Sequence, residues 1–258
     1  MSRPENQLPP ELFYNETEAS KYSNNTRIME IQTELSERAM ELLCLKEESS
    51  LILDIGCGSG LSGSVISDLG HEWIGVDISR PMLDIAQENS DSALVLNDIG
   101  AGLPFRGGLF DGAISISAVQ WLCYSCKTVD NPKRRLKAFF TTLYGCLKRD
   151  ARAVIQFYPE NTDQLTLVFS AAQNAGFTGG LIIDFPNSSK SRKHFLVLNV
   201  SPTKEMPKAI DDSIQLKRAN LNELRGKTGL KNKPTKNHKR DGVVKSKYSG
   251  RKRKPNFN

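Results

Sequence analysis

The chain has 258 residues, 38% of them apolar, and a formal net charge of +6, enough for one α/β domain with an ordinary core plus an extra segment. No apolar run approaches the ~18 residues of a membrane-spanning helix, so no membrane role is expected. The start, Met1-Ser2-Arg3-Pro4-Glu5, lacks the apolar stretch of a secretory leader, and five scattered cysteines fit reduced thiols rather than a disulfide framework.

In chain order, residues 1–14 are Pro-rich and expected to be extended, and residues 1–22 read as an N-terminal extension. Over residues 23–43, Ile28, Ile31, Leu35, Ala39 and Leu42 recur at helical intervals and mark one buried face. A strand is predicted at Leu51–Ile55, followed by a glycine loop and a helix over 61–69 that stops at Gly70. The next strands, 72–76 and 93–96, flank a helix with Pro81 in its first turn, where a missing N–H is harmless. The fourth strand is 112–117. Asn131-Pro132 opens a helix whose apolar stripe runs through Leu136, Phe139, Phe140, Leu143 and Leu147. The fifth strand is 151–158, and the helix over 162–175 ends at Gly176, a suitable left-handed cap. The last two runs, 180–184 and 194–200, are joined by a linker too short for a crossover helix, so they should pair antiparallel. The pattern predicts an α/β fold over residues 23–200: a seven-stranded, mostly parallel sheet that ends in an antiparallel hairpin.

The charge is divided along the chain. Residues 201–258 hold 17 Lys and Arg against 5 Asp and Glu, a net of +12, whereas residues 1–200 hold 18 against 24, a net of −6. The basic segment has no sustained apolar period and is rich in Lys, Asn, Pro and Gly. It cannot bury enough surface to offset its ordering entropy, and is expected to be largely disordered, with a helix near 213–224.

The most informative stretch is Leu51-Ile52-Leu53-Asp54-Ile55-Gly56-Cys57-Gly58-Ser59-Gly60. A buried strand running into glycines at alternate positions, then into a helix, describes a nucleotide-type site at a sheet's carboxyl edge. Gly58-x-Gly60-x-x-Gly63 also fits a dinucleotide fingerprint, but Asp54 would repel a pyrophosphate. The ammonium of S-adenosyl-L-methionine (SAM) can donate to that carboxylate instead. Asp77 closes the second strand, 23 residues after Asp54, near the distance at which a strand-end acid reaches ribose hydroxyls. Asp98 follows the third strand, placed for an adenine amino group. The expected SAM site comprises Asp54, Gly56, Cys57, Gly58, Gly60, Asp77, Ile78, Asp98, Ile99 and Ser115. Three ordinary turn acids on an α/β fold are the plainer alternative.

The same edge receives the segments after the fourth and fifth strands. Trp121 and Tyr158 are candidate walls for a planar base, with Gln120 and Asn161 placed to read its edge; packing of Trp121 onto the sheet is the alternative. No general base is evident, since His71 and His194 are read as lying away from the active edge. A reaction that removes no proton suits this absence. Guanine N7 carries a lone pair and no proton, so transfer to it needs only alignment, and an aromatic face stabilises the cationic product. Cys123-x-x-Cys126 lacks a second half-site and reads as two packed thiols, so no metal site is expected.

Several longer blocks are more specific than the glycine loop. They are Pro9-Pro10-Glu11-Leu12-Phe13-Tyr14, Ser117-Ala118-Val119-Gln120-Trp121-Leu122, Tyr158-Pro159-Glu160-Asn161, Asp184-Phe185-Pro186-Asn187-Ser188 and the terminal Tyr248-Ser249-Gly250-Arg251-Lys252-Arg253-Lys254-Pro255. Together they make the chain resemble the eukaryotic small-subunit rRNA guanine-N7 methyltransferases, the group that includes the Williams–Beuren-region methyltransferase, over residues 8–200 and the last dozen. The resemblance implies a Rossmann-like SAM-dependent methyltransferase acting on one guanine N7 of 18S rRNA, and a role in pre-ribosome assembly. It also implies a small zinc-bearing activator subunit that forms a heterodimer by extending the sheet at an edge strand, and a location in nucleus, nucleolus and also cytoplasm. The tail between about 201 and 245 departs from the family pattern. Its basic end suits phosphate contacts or nuclear import. Two other readings are a small-molecule SAM methyltransferase and a SAM-binding assembly factor without catalysis. The absence of an apolar lid domain counts against the first, and the intact acids and glycines count against the second.

Overall fold

The structure, a computed structural model, describes residues 3–46, 49–124, 131–188, 191–202 and 205–211. The chain divides into two units, Met1–Asp212 and Ser213–Asn258. The expected disorder beyond Asp211, the helix near 213–224 and Cys126 lie outside the described residues.

The described residues form a seven-stranded sheet: β1 (Leu51–Ile55), β2 (Glu72–Asp77), β3 (Ala93–Leu96), β4 (Phe110–Ile116), β5 (Leu147–Phe157), β6 (Thr178–Asp184) and β7 (Lys193–Asn199). The strand order is β3-β2-β1-β4-β5-β7-β6. β1 to β5 pair in parallel, and β7 enters antiparallel between β5 and β6. This is the predicted mixed sheet with its closing hairpin. Because strand side chains alternate between faces, Ile52 and Val197 point to one layer and Leu53 and Leu196 to the other. The first layer packs against α3 (Thr26–Leu43) and α4 (Leu61–Asp68), the second against α6 (Pro132–Cys146) and α7 (Thr162–Asn174).

Three elements differ from the sequence reading. The Pro-rich start is not extended: residues Pro4–Asn6 form a helical turn, followed by α1 (Pro10–Phe13) and α2 (Glu16–Ser23). Prolines at first helical positions suit helix entry as well as extended chain, and Asn15 caps α2 by accepting from the Thr17 and Glu18 amides. A second cap, Asn25, starts α3 separately. Leu147 opens β5 rather than closing the helix stripe, with a register shift between Phe110 and Gly112 on the neighbouring strand. Finally, the start of the basic segment is tied to the domain. Asp184, 1% exposed, is paired with Arg38 and accepts from the Ile210 amide at 2.7 Å, while Arg38 also donates to the Lys208 carbonyl. Arg152, buried in β5, donates to the carbonyls of Leu42 and Glu205 and to Asn199 Oδ1.

Candidate functional site

At the carboxyl edge of β1 the chain turns through Gly56, Gly58 and Gly60, all at positive φ. At Gly56 a Cβ would stand 2.3 Å from Ala118 Cβ, so only glycine lets this loop close against the segment after β4. The loop is held from the next strand. Asp77 Oδ2 accepts from the Gly58 amide at 2.9 Å and Oδ1 from the Ser79 amide at 2.8 Å. Burial pushes the Asp77 carboxyl up, and these backbone donors oppose the shift. Gly63, the last position of the dinucleotide-like spacing, serves packing instead: a Cβ there would meet the Trp73 ring at 2.2 Å.

A cavity of about 380 Å³ opens at this edge, within the usual range for small-ligand sites. Of the expected cofactor residues, Gly56, Cys57, Gly58, Asp77, Ile78, Asp98 and Ile99 line it. The other three are placed elsewhere. Gly60 is the left-handed residue at the N-terminus of α4. Asp54 lies beneath the loop, fully buried, and accepts from Ser62 Oγ at 2.6 Å; its Oδ1 has no partner among the described residues, and desolvation pushes its carboxyl up to about 7. Ser115 is fully buried and donates to the Ile55 carbonyl, joining two strands rather than facing the cavity. Asp98 Oδ1 accepts from the Gly100 amide and from Arg135, which also lines the cavity.

On the substrate side, Gln120, Trp121 and Tyr158 line the cavity. Asn161 does not; its side chain caps α7 by accepting from the Gln164 amide at 2.8 Å, a task its place before a helix already suggested. Trp121 packs against Phe13 and Tyr14, both ring pairs at 5.9 Å between centroids, so it joins the N-terminal segment to the cavity wall. Tyr158 carries the Lys193 ammonium near its hydroxyl and ring. His194 needs correction: it pairs with Phe157, at the carboxyl end of β5, so its register is at the active edge. It is not among the cavity's lining residues, and burial, aided by Arg192, lowers its pKa and keeps the imidazole neutral. His71 lies at the other end of β2.

The sequence reading missed the N-terminal wall. Arg3 donates to the carbonyls of Tyr158 and Pro159 at 2.9 and 3.3 Å, and Ser79 Oγ donates to the Tyr14 carbonyl at 2.8 Å. These bonds lay residues 3–14 across the edge, so Glu5, Tyr14 and Tyr22 line the cavity. Burial raises both phenol pKa values, that of Tyr22 to about 12. The available signal was an apolar-aromatic run, Leu12-Phe13-Tyr14, inside an otherwise polar segment. Ser117, also lining the cavity, holds φ 56° while its hydroxyl donates to Gln156 Oε1; a left-handed serine at a ligand edge is the kind of strain that functional sites retain.

A methyltransferase domain family model matches residues 53–155, which run from β1 to β5. The 18S rRNA (guanine-N(7))-methyltransferase of Mus musculus is 48% identical over 99% of this chain and 98% of its own length. The chain belongs to this family. The 18S rRNA (guanine(1575)-N(7))-methyltransferase of Saccharomyces cerevisiae is 43% identical with both chains fully covered. Among solved structures, a TehB-like SAM-dependent methyltransferase from Corynebacterium glutamicum superposes with a TM-score of 0.55 at 19% identity, covering 72% of this chain and 99% of that one. A complex between the Haloferax volcanii Trm112 methyltransferase activator and a putative methyltransferase superposes at 0.52 and 17%, covering 71% and 98%. Both show the fold. The family's cofactor is SAM, and the residues present fit it: a loop whose three glycines hold positive φ and whose Gly56 leaves no room for a Cβ, followed by two strand-end acids lining one cavity.

Proposed function

We propose that this protein transfers the methyl group of SAM to N7 of a guanine in 18S rRNA during maturation of the small ribosomal subunit. The observation that carries the reading is the joining, in one cavity, of a glycine loop with two strand-end acids to an aromatic wall that contains no histidine, in a chain akin to rRNA guanine-N7 methyltransferases over its whole length.

When bound, SAM supplies an electrophilic methyl on a sulfonium. Everything else falls to the chain. The remaining lone pairs of Asp77 accept from ribose hydroxyls while its other pairs keep Gly58 and Ser79 in place. Asp98 Oδ1 is engaged by Gly100 and Arg135, which leaves Oδ2 for the adenine amino group, with Ile78 and Ile99 as apolar walls. Gln120, Trp121 and Tyr158 bound the place of the target base. N7 bears no proton, so the chain has only to align it with the methyl, and the rings stabilise the positive charge that the base acquires. In a duplex, N7 lies in the deep, narrow major groove, so the target must be unpaired or extruded. Residues 1–22 and 23–200 then act as one catalytic body, and the basic tail supplies sequence-independent phosphate contacts.

The family resemblance adds a small zinc-bearing activator that extends the sheet. Of the two sheet edges, β6 is partly covered: Phe185, just after it, donates to the Ile210 carbonyl, and Met206 lies near Gly180. β3 has no such cover among the described residues and ends in Leu96, 54% exposed. It is the docking edge we assign to the activator. A role in ribosome assembly supports a location in nucleus and nucleolus, and also in the cytoplasm.

The test is reduction and aniline cleavage of 18S rRNA, which breaks the strand at N7-methylguanine. Cells lacking the protein should lose one break, wild type should restore it, and Asp77→Ala should not. An unchanged cleavage pattern in the deletion strain refutes the assignment.

A further inference from the structure

Guanine N7 methylation needs no proton acceptor, yet a glutamate carboxylate lines the cavity with one of its oxygens unpartnered among the described residues. Glu5 is 7% exposed and its Oε2 has no hydrogen-bond partner among the described residues. Gln120 is 4% exposed and its Oε1 also has none. Both residues line the cavity. Their positions are set by separate elements. Arg3 ties the N-terminal segment to the carbonyls of Tyr158 and Pro159, two residues before Glu5, and Gln120 belongs to the helical turn Val119–Cys123 that follows β4. These are the carboxyl edges of β5 and β4, whereas Asp77 and Asp98 stand at the edges of β2 and β3. Burying one carboxylate oxygen and one amide oxygen without donors is costly. Such a pair persists where a ligand brings the donors.

The geometry points to Glu5, assisted by Gln120, as the reader of the target guanine's Watson–Crick edge. Resting on the proposed reaction, this assignment names the residues that choose its substrate. Guanine alone among the RNA bases presents an N1–H and an N2–H side by side on its Watson–Crick edge, with the second N2–H turned toward the adjoining sugar edge. An ionised carboxylate is acceptor-only and can take the first two at once, and the Gln120 oxygen suits the second N2–H. Adenine would turn its N1 lone pair toward the carboxylate, and uracil its carbonyl oxygens. The edge so held lies opposite the imidazole ring, so N7 points away from Glu5 and into the cavity. As N7 gains the methyl, the base becomes cationic and N1–H becomes a stronger donor. The bond to Glu5 therefore tightens in the transition state, the condition under which binding also raises rate.

The test compares wild-type and Glu5→Gln full-length chains on an 18S-derived single-stranded oligonucleotide with guanine or inosine at the target; inosine keeps N7 and lacks the N2 amine. Oligonucleotide affinity with S-adenosylhomocysteine present, kcat/KM and SAM affinity are measured for each. Wild type should prefer guanine by about 10- to 100-fold, as expected for hydrogen bonds to a charged group. Glu5→Gln, nearly isosteric, should cut this preference sharply, to the remainder that Gln120 supplies, and leave SAM affinity unchanged. Glu5→Ala should behave likewise, and if that variant fails to fold, the glutamine variant still decides. A guanine-to-inosine ratio unchanged by Glu5→Gln overturns the assignment. So does a loss of SAM affinity with that ratio intact, which would give the acid to the cofactor's ammonium. Because binding is read separately from turnover, a wild type that discriminates through Glu5 yet transfers no methyl would uphold the edge reading and refute the reaction.

Discussion

At the scale of single residues, Asp54 shows how one sequence feature divides into two physical roles. Its place before the glycines suggested a cofactor contact, but the carboxylate is buried beneath the loop with Ser62 as its donor and Oδ1 without one among the described residues. Desolvation raises its folded-state pKa to about 7 from an ordinary 3.8. For an acid with a raised folded pKa, the protonated form is favoured by folding. Stability is therefore fully present below about pH 4 and is lost as pH rises through 7. Asp54→Asn cannot ionise, so the difference in unfolding free energy between variant and ligand-free wild type should grow in the variant's favour between pH 5 and pH 7. The slope should approach about 1.4 kcal/mol per pH unit within that window. The amide leaves one buried donor unpaired, so the slope and not the absolute value is diagnostic. Denaturant titrations giving parallel pH profiles for the two proteins would mean that Asp54 is not raised.

Elements decide where a partner can add. A strand edge with free backbone groups is a template for another chain, and this sheet leaves its two edges unequal. Residues 205–211 lie along β6, held by Arg38, Asp184 and Arg152, whereas β3 is four residues long with Ala93 and Leu96 exposed. If the activator pairs with β3, Leu96→Lys should abolish co-purification and lower the soluble yield of the co-expressed chain, with SAM binding retained by whatever remains soluble. Retention of the complex in pull-down assays of that variant would move the interface elsewhere. The N-terminal elements illustrate the reverse case. α1 and α2 are short, and α2 is capped locally by Asn15. They gain their place from Arg3, the Ser79 hydroxyl and the Trp121 ring.

For the whole molecule, the division of charge has a consequence that the fold sharpens. Since 205–211 are bonded to the domain, a truncation meant to remove only the tail must begin at Asp212. Residues 212–258 hold 15 Lys and Arg against 3 Asp and Glu, still +12, and leave a body of −6. Removing them should weaken binding to unrelated RNAs alike and preserve SAM affinity. If the tail neutralises even four phosphates, the slope of log K against log salt for single-stranded RNA should fall by about 2.8 in magnitude, at roughly 0.7 per phosphate. Guanine choice should persist, because it resides in the cavity. A truncated protein whose slope matches the full chain's would assign the tail to import or protein contacts.

The strand order's ingredients, the glycine loop, Asp77 and Asp98 were legible in the sequence because each is a local pattern: apolar runs of strand length, glycines where backbone must turn, acids at strand ends. Family blocks such as Ser117–Leu122 added the reaction. Asp54, Ser115 and Asn161 were misplaced for one reason. Local pattern puts a residue at an edge, but which neighbour satisfies its polar atoms depends on chain distant in sequence or on a helix start competing for the same side chain. Glu5 and Arg135 were not visible at all, and Tyr14 only as part of an apolar-aromatic family block. Glu5 is carried to the cavity by a bond between Arg3 and carbonyls 155 and 156 residues away, and no periodicity within the N-terminal segment encodes that distance. What the sequence by itself determined was the class of fold and chemistry. Tertiary packing decided which acids line the cavity and which stay buried beneath it, because burial and hydrogen-bond satisfaction are properties of the assembled surfaces.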